Sequence, residues 1–116
     1  MFGDPLKSGP QKVYFLLVSG FSLFGLTSML APLRHANRTS NEMLYEWYLL
    51  SEFGGMICSS DEIEIKCNFS INEVDKCDML IICSGTQPHA ALTPGLLAFI
   101  RKQSYHGADI GCQDTG

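Results

Sequence analysis

Val13 to Leu33 reads VYFLLVSGFSLFGLTSMLAPL, 21 residues without a charge, and the way it is parsed decides the fold. As a single helix it would be long enough to span a bilayer, and Lys7 and Lys12 ahead of it would suit an export signal or anchor. The residues inside it argue otherwise. Ser19, Gly20, Ser22, Gly25, Thr27 and Ser28 interrupt the run. Its opening, KVYFLLV from Lys12 to Val18, is a short continuous apolar stretch of strand type, whereas Leu23, Leu26, Leu30 and Leu33 recur at helical spacing. The stretch therefore divides into a strand covered on both faces, a turn through Ser19-Gly20-Phe21-Ser22, and a helix. Ser22 can cap that helix, which runs about four turns to Arg34, and Pro32 within it predicts a kink.

Outward from this unit the same rhythm repeats. Trp47 to Ser51 forms a second strand, ended by Phe53-Gly54-Gly55. Met56 to Ser59 and Ile63 to Lys66 are short strands, the latter alternating as IEIK, and suit a hairpin whose acidic run from Asp61 faces solvent. Ser70 followed three residues later by Glu73 makes a capping box for a single helical turn. Met79 to Cys83 (MLIIC) is another buried strand, and SGTQPHA follows it. Thr93-Pro94 opens a helix with a cap and a first-turn proline; Leu96, Leu97, Phe99 and Ile100 are expected to face the sheet, and Gly107 ends the helix. Ala108 to Cys112 is the last strand.

Strands alternating with helices imply an α/β fold, a parallel sheet with helices on both faces. Ligands in such sheets bind beyond the carboxyl ends of the strands, where Ser19-Gly20, Ser84-Gly85-Thr86 and Cys112 to Gly116 would lie.

The totals fit one domain, with residues 1–11 as a tail and 12–116 as the folded part. The chain has 116 residues, 46% hydrophobic and 17% charged, which excludes a disordered or collagen-like class. A formal charge of -4 with scattered Lys and Arg argues against gripping nucleic acid through phosphates. The five cysteines, Cys58, Cys67, Cys77, Cys83 and Cys112, show no metal-ligand spacing, so no metal or cofactor is expected. An odd number suits reduced thiols in a cytoplasm. Two sequons, at Asn37 and Asn68, would matter only in a secreted protein.

FSLFGLTSMLAPLRHANRTSNEMLYEWYLLSEFGG, then INEVDKCDMLIICSG, then DTG after the last strand, resemble the N-terminal domain of AraC-type transcriptional regulators of the GlxA family. That domain is similar to the ThiJ/PfpI fold, which is flavodoxin-like and akin to class I glutamine amidotransferases. The segment from Pro32 to Trp47 is its most specific part and looks closest to regulators of carnitine and betaine catabolism. In enzymes of this fold the last strand runs into a nucleophile elbow, where a cysteine precedes a small residue and glycine. Here Asp114-Thr115-Gly116 occupies that place, and Cys112 lies two residues too early. Resembling enzymes also carry an acidic residue four positions before the proline of the first helix, and here that position is Ser28. The resemblance thus implies a non-catalytic, effector-sensing and dimerising domain, cut at the elbow. DNA would be bound only through a domain this chain lacks, in a cytoplasmic protein without a membrane segment. A parallel sheet ended there would leave an open edge, which predicts self-association of the fragment.

The candidate ligand contacts are Phe21, Ser28, Ser84, Gly85, Thr86, Asp114 and Thr115. Asp114 reads as an N-cap, a role in which its carboxylate is also a fixed negative charge suited to a cationic effector such as carnitine, betaine or an arginine-like molecule. Ser84-Gly85-Thr86 resembles a loop that offers backbone N–H groups to an anion, although an ordinary strand-to-loop turn is the stronger reading of so short a signal. Phe21, after the first strand, is expected at the pocket mouth, where a ring face could hold a quaternary ammonium; Trp47 reads as core or interface. The rival function is a cysteine hydrolase or glyoxalase-like enzyme using Cys112, with His35, His89 or His106 as a base. Its bland counterpart is a buried, inert Cys112.

Overall fold

The computed structural model describes residues 9–85 and 92–113. Strand β1 (Gln11–Leu17) shows why its sequence is apolar without alternation: each face packs against a different layer. Val13, Phe15 and Leu17 point into a core built with Leu26 and Leu33 of helix α1 (Leu23–Ser40). Tyr14, Leu16 and Val18 point into the opposite core, built with Leu96 and Phe99 of helix α2 (Pro94–Tyr105). The 21-residue uncharged stretch is thus strand, turn and helix, and among the described residues no helix is long and apolar enough to cross a membrane.

The remaining strands are β2 (Tyr45–Ser51), β3 (Met56–Cys58), β4 (Glu64–Lys66), β5 (Phe69–Ser70), β6 (Met79–Cys83) and β7 (Asp109–Gln113). Four of them join β1 in one parallel sheet in the order β5-β2-β1-β6-β7. β1 is central. The chain leaves it through α1 to build one half of the sheet and later returns to its other side with β6, so the strand order reverses between β1 and β6. β3 and β4 pair as an antiparallel hairpin whose Ile57 and Ile65 pack on the α1-side core. β5 has too few residues to show as a run of its own in the sequence.

Helix α1 begins as expected, with the Ser22 hydroxyl accepting from the Gly25 N–H at 3.0 Å. It does not end near Arg34. It passes through Pro32 as one element and stops at Ser40, with Asn41 in the left-handed conformation at φ 57°. The hydroxyls of Thr27 and Ser28 bond back to the Leu23 and Phe24 carbonyls one turn before the proline. The extra turns are anchored by Asn37. Its Oδ1 accepts from the N–H groups of Leu44 and Tyr45, at 2.8 and 2.9 Å, and its Nδ2 donates to the Tyr45 carbonyl at 2.9 Å.

Helix α2 keeps its Thr93 cap, which accepts from Leu96 N–H at 3.2 Å, and Gly107 follows its end with φ +88°. Leu96 and Phe99 are buried as expected, but Leu97 is exposed, because it sits off the stripe that those two define. The buried polar residue on this helix is Gln103. It accepts from Cys77 N–H at 2.8 Å and donates to the Asp75 carbonyl at 3.0 Å, fixing the loop that enters β6.

Candidate functional site

The backbone ladder continues past the ends of three strands: Val18 N–H donates to Cys83 O at 3.0 Å, and Ser84 N–H to Gln113 O at 3.1 Å. This draws the ends of β1, β6 and β7 together. Gly85 lies against the Gly20 carbonyl so closely that a β carbon could not fit, and Gly20 itself holds φ +83°. Two of the loops expected to form a ligand crevice, Ser19-Gly20 and Ser84-Gly85, are therefore in contact, with Ser84 and Gly85 both buried. The third approaches through its stem. Gln113 lays its side-chain amide across Gly25 in the first turn of α1, and its Oε1 is buried without a hydrogen-bond partner among the described residues. An unpartnered amide oxygen beside the start of a helix is a polar surface that a ligand could complete.

Thr86, Asp114 and Thr115 lie outside the described residues, as does His89. Phe21 does not stand at a pocket mouth. It is fully buried, because the β3–β4 hairpin closes over it: Phe21 bridges to Ser59, Gly20 N–H donates to Cys58 O at 3.0 Å, and Ser60 N–H donates to Phe21 O at 2.8 Å. Ser28 is not brought to the crevice either. It is exposed, with its hydroxyl on the Phe24 carbonyl at 2.7 Å, while Gly25 is the α1 residue that meets β7.

Cys112 is exposed, which corrects the expectation of a buried thiol. Alternation along β7 puts it on the face of Ile110, the α2 side, opposite the face where Gln113 meets α1. The described histidines are engaged elsewhere: His35 Nε2 is 3.3 Å from Thr39 Oγ1, and the His106 ring packs edge-on to Tyr105. Burial pushes the Cys77 and Cys83 thiols up to about 12, and burial also raises Cys67, against a smaller opposing pull from the Ser51 hydroxyl beside it. Such thiols stay protonated at neutral pH and are poor nucleophiles. Among the described residues no group of three or more His, Cys, Asp or Glu could hold a metal ion.

A second feature escaped the sequence reading. Beyond β2, Glu52 and Phe53 form the wall between two clefts. One, of about 300 Å³, is also bounded by Ser19, Ser51 and Leu96; the other, of about 560 Å³, by Glu73, Asp75 and Lys102. In the sequence, Ser51 to Phe53 reads only as the end of a strand.

No family model matches the chain. It is 37% identical over 106 residues to the HTH-type transcriptional regulator CdhR of Pseudomonas aeruginosa, a match covering 91% of this chain and 31% of that protein. It is 32% identical over 112 residues to the regulator GbdR of the same species, covering 97% of this chain and 30% of that protein. It is also 32% identical over 107 residues to the regulator GlxA of Rhizobium meliloti, covering 91% and 33%. The chain thus spans about a third of the length of these curated relatives. Among solved structures, an AraC family transcriptional regulator from Pseudomonas putida superposes with a TM-score of 0.77 at 24% identity, covering 89% of this chain and 55% of that one. A ThiJ/PfpI family protein from Pseudomonas syringae superposes with a TM-score of 0.70 at 18% identity, covering 90% and 42%. The parallel five-stranded sheet and these matches together identify the chain as an N-terminal ThiJ/PfpI-like domain of the AraC/GlxA type of transcriptional regulator.

Proposed function

We propose that this domain is a non-catalytic effector sensor and dimerisation unit, which binds a small cationic metabolite and biases a DNA-binding domain encoded elsewhere in the regulator. The observation that carries the regulator part is the 37% identity to CdhR over nearly all of the chain. The non-catalytic part draws support from the thiols. The cysteine closest in sequence to the elbow, Cys112, lies on the face of β7 opposite the one where Gln113 meets α1, and Cys83 beneath the loops is buried with its pKa pushed up.

The ligand class follows from likeness to regulators of carnitine and betaine catabolism, with arginine-like molecules as further candidates. Ser84, Gly85, Thr86, Asp114 and Thr115 remain the proposed contacts at the elbow. Asp114 supplies the negative charge, and the Ser84-Gly85-Thr86 loop supplies backbone N–H groups for a ligand carboxylate. The mechanism is differential binding: an effector that fits one arrangement of the paired domains better than another shifts the population between them. Exposed Phe24 and Tyr105 are apolar surface that pairing could cover, and five free thiols accord with a cytoplasmic setting.

The test is DNA affinity of the full-length gene product on its own upstream region, with and without carnitine or glycine betaine. A ligand-dependent change in affinity supports the reading. Unchanged affinity with every cation tried, together with hydrolase or glyoxalase turnover, overturns it.

A further inference from the structure

Phe53 is 86% exposed, an uncommon position for a phenylalanine directly after a core strand. Gly54 and Gly55 hold it there, because both have positive φ, 76° and 67°, in a turn that a side chain would strain. Its neighbour Glu52 is half-buried, and its carboxylate makes no hydrogen bond or ion pair with any described residue. It approaches the first turn of α2 at Gly95, where its Oε2 lies 2.7 Å from the place a β carbon would take. Ser51, 4% exposed, lines the cleft of about 300 Å³ on this wall, with its hydroxyl beside the Cys67 thiol.

Across the same wall, the cleft of about 560 Å³ carries Glu73 and Asp75 besides Glu52, against a single cation, Lys102, which is 3.4 Å from Asp75. Three carboxylates to one ammonium give the pair of clefts a negative field, which repels anions and concentrates cations. A structural role alone, Glu52 as a charge near the start of α2, would explain the carboxylate. It would not explain the exposed ring beside it.

We infer that Glu52 and Phe53 form a cation-accepting subsite at the carboxyl end of β2, separate from the elbow, with the carboxylate as counter-charge and the ring face against the alkylated nitrogen of a small organic cation. This rests on the effector-sensing reading above and adds, beside Asp114, a second counter-charge for an organic cation. Clefts of this size suit a small metabolite rather than a peptide. A ring face attracts an ammonium, and more so a poorly hydrated quaternary one.

The test uses the full-length gene product, calorimetry, and two probes of the same shape: choline and its uncharged isostere 3,3-dimethylbutan-1-ol. Choline is expected to bind and the isostere to bind at least about tenfold more weakly, as a charge-dependent site requires. Glu52→Gln is expected to weaken choline about tenfold without changing the isostere. Phe53→Leu, which keeps apolar volume and removes the ring, is expected to weaken choline by roughly three- to tenfold. Thermal melting of each variant shows that it folds. If choline binds the native protein, and both folded variants hold it within a factor of about two, the subsite is refuted while cation sensing elsewhere stands. If no cation binds the native protein, the sensing reading and the subsite fall together.

Discussion

A β carbon on Gly85, after β6, would fall on the carbonyl oxygen of Gly20, after β1, so closely do the two loops at the reversal of strand order approach. No side chain can yield at that contact, since the obstructing atom is a main-chain oxygen. Gly85→Ala is therefore expected to destabilise the domain by about 1–3 kcal/mol, the usual cost of forcing atoms into a filled space. Gly25→Ala makes the contrast. A β carbon there meets only the far end of the Gln113 side chain, which can swing aside, while alanine gains about 1 kcal/mol of helix propensity. Chemical denaturation of the two variants should place Gly85→Ala well below Gly25→Ala.

Gln103 carries the second prediction. Replacing it with alanine leaves the buried Cys77 N–H and the Asp75 carbonyl without partners and is expected to cost about 1–3 kcal/mol. Gln103→Glu is informative beside it. It keeps the acceptor for Cys77 N–H but loses the donor, so its loss of stability should shrink as pH falls and the carboxyl regains a proton.

The buried thiols set the pH dependence. Cys77 and Cys83 hold their protons up to about 12 in the folded chain, against an ordinary value of 9.0. Above that ordinary value the unfolded chain releases protons that the folded chain retains, so raising the pH favours unfolding. Their contribution is complete below pH 9 and is lost as pH climbs towards about 12. Each thiol adds a slope of roughly 1.4 kcal/mol per pH unit in that window. Denaturation curves from pH 7 to pH 11 should be flat at first and then fall, and Cys83→Ala should make the fall shallower.

Thiol labelling separates sensor from enzyme by rate. Cys112 is exposed and will react with iodoacetamide before Cys77 or Cys83 in either case, so preference alone decides nothing. An activated nucleophile would stay reactive at pH 6, as a lowered thiol pKa requires. The present account expects no such reactivity from Cys112, since no described histidine lies beside it.

Much of this architecture could be read from residues alone. The change from continuous apolar run to helical spacing at Ser19-Gly20 gave β1 and α1, and MLIIC and Thr93-Pro94 marked β6 and the start of α2 at their observed positions. The misses share one cause, contacts between segments distant in sequence. Phe21 looks like a loop aromatic until a hairpin reaching Ser59 closes over it. Gln103 looks like a solvated helix residue until the loop before β6 is seen to hang from it. Asn37 reads as the polar end of a helix, yet its amide docks three backbone groups at the start of β2 and prolongs α1. Glu52 and Phe53 carry no motif, and only the clefts on either side draw notice to them.

Effector sensing is tested most directly by calorimetric titration of the full-length gene product with carnitine, glycine betaine, choline and arginine. The account predicts saturable heat with at least one of these cations, with the ligand recovered chemically unchanged. Absence of heat with all four, or conversion of a bound ligand to product, would contradict it.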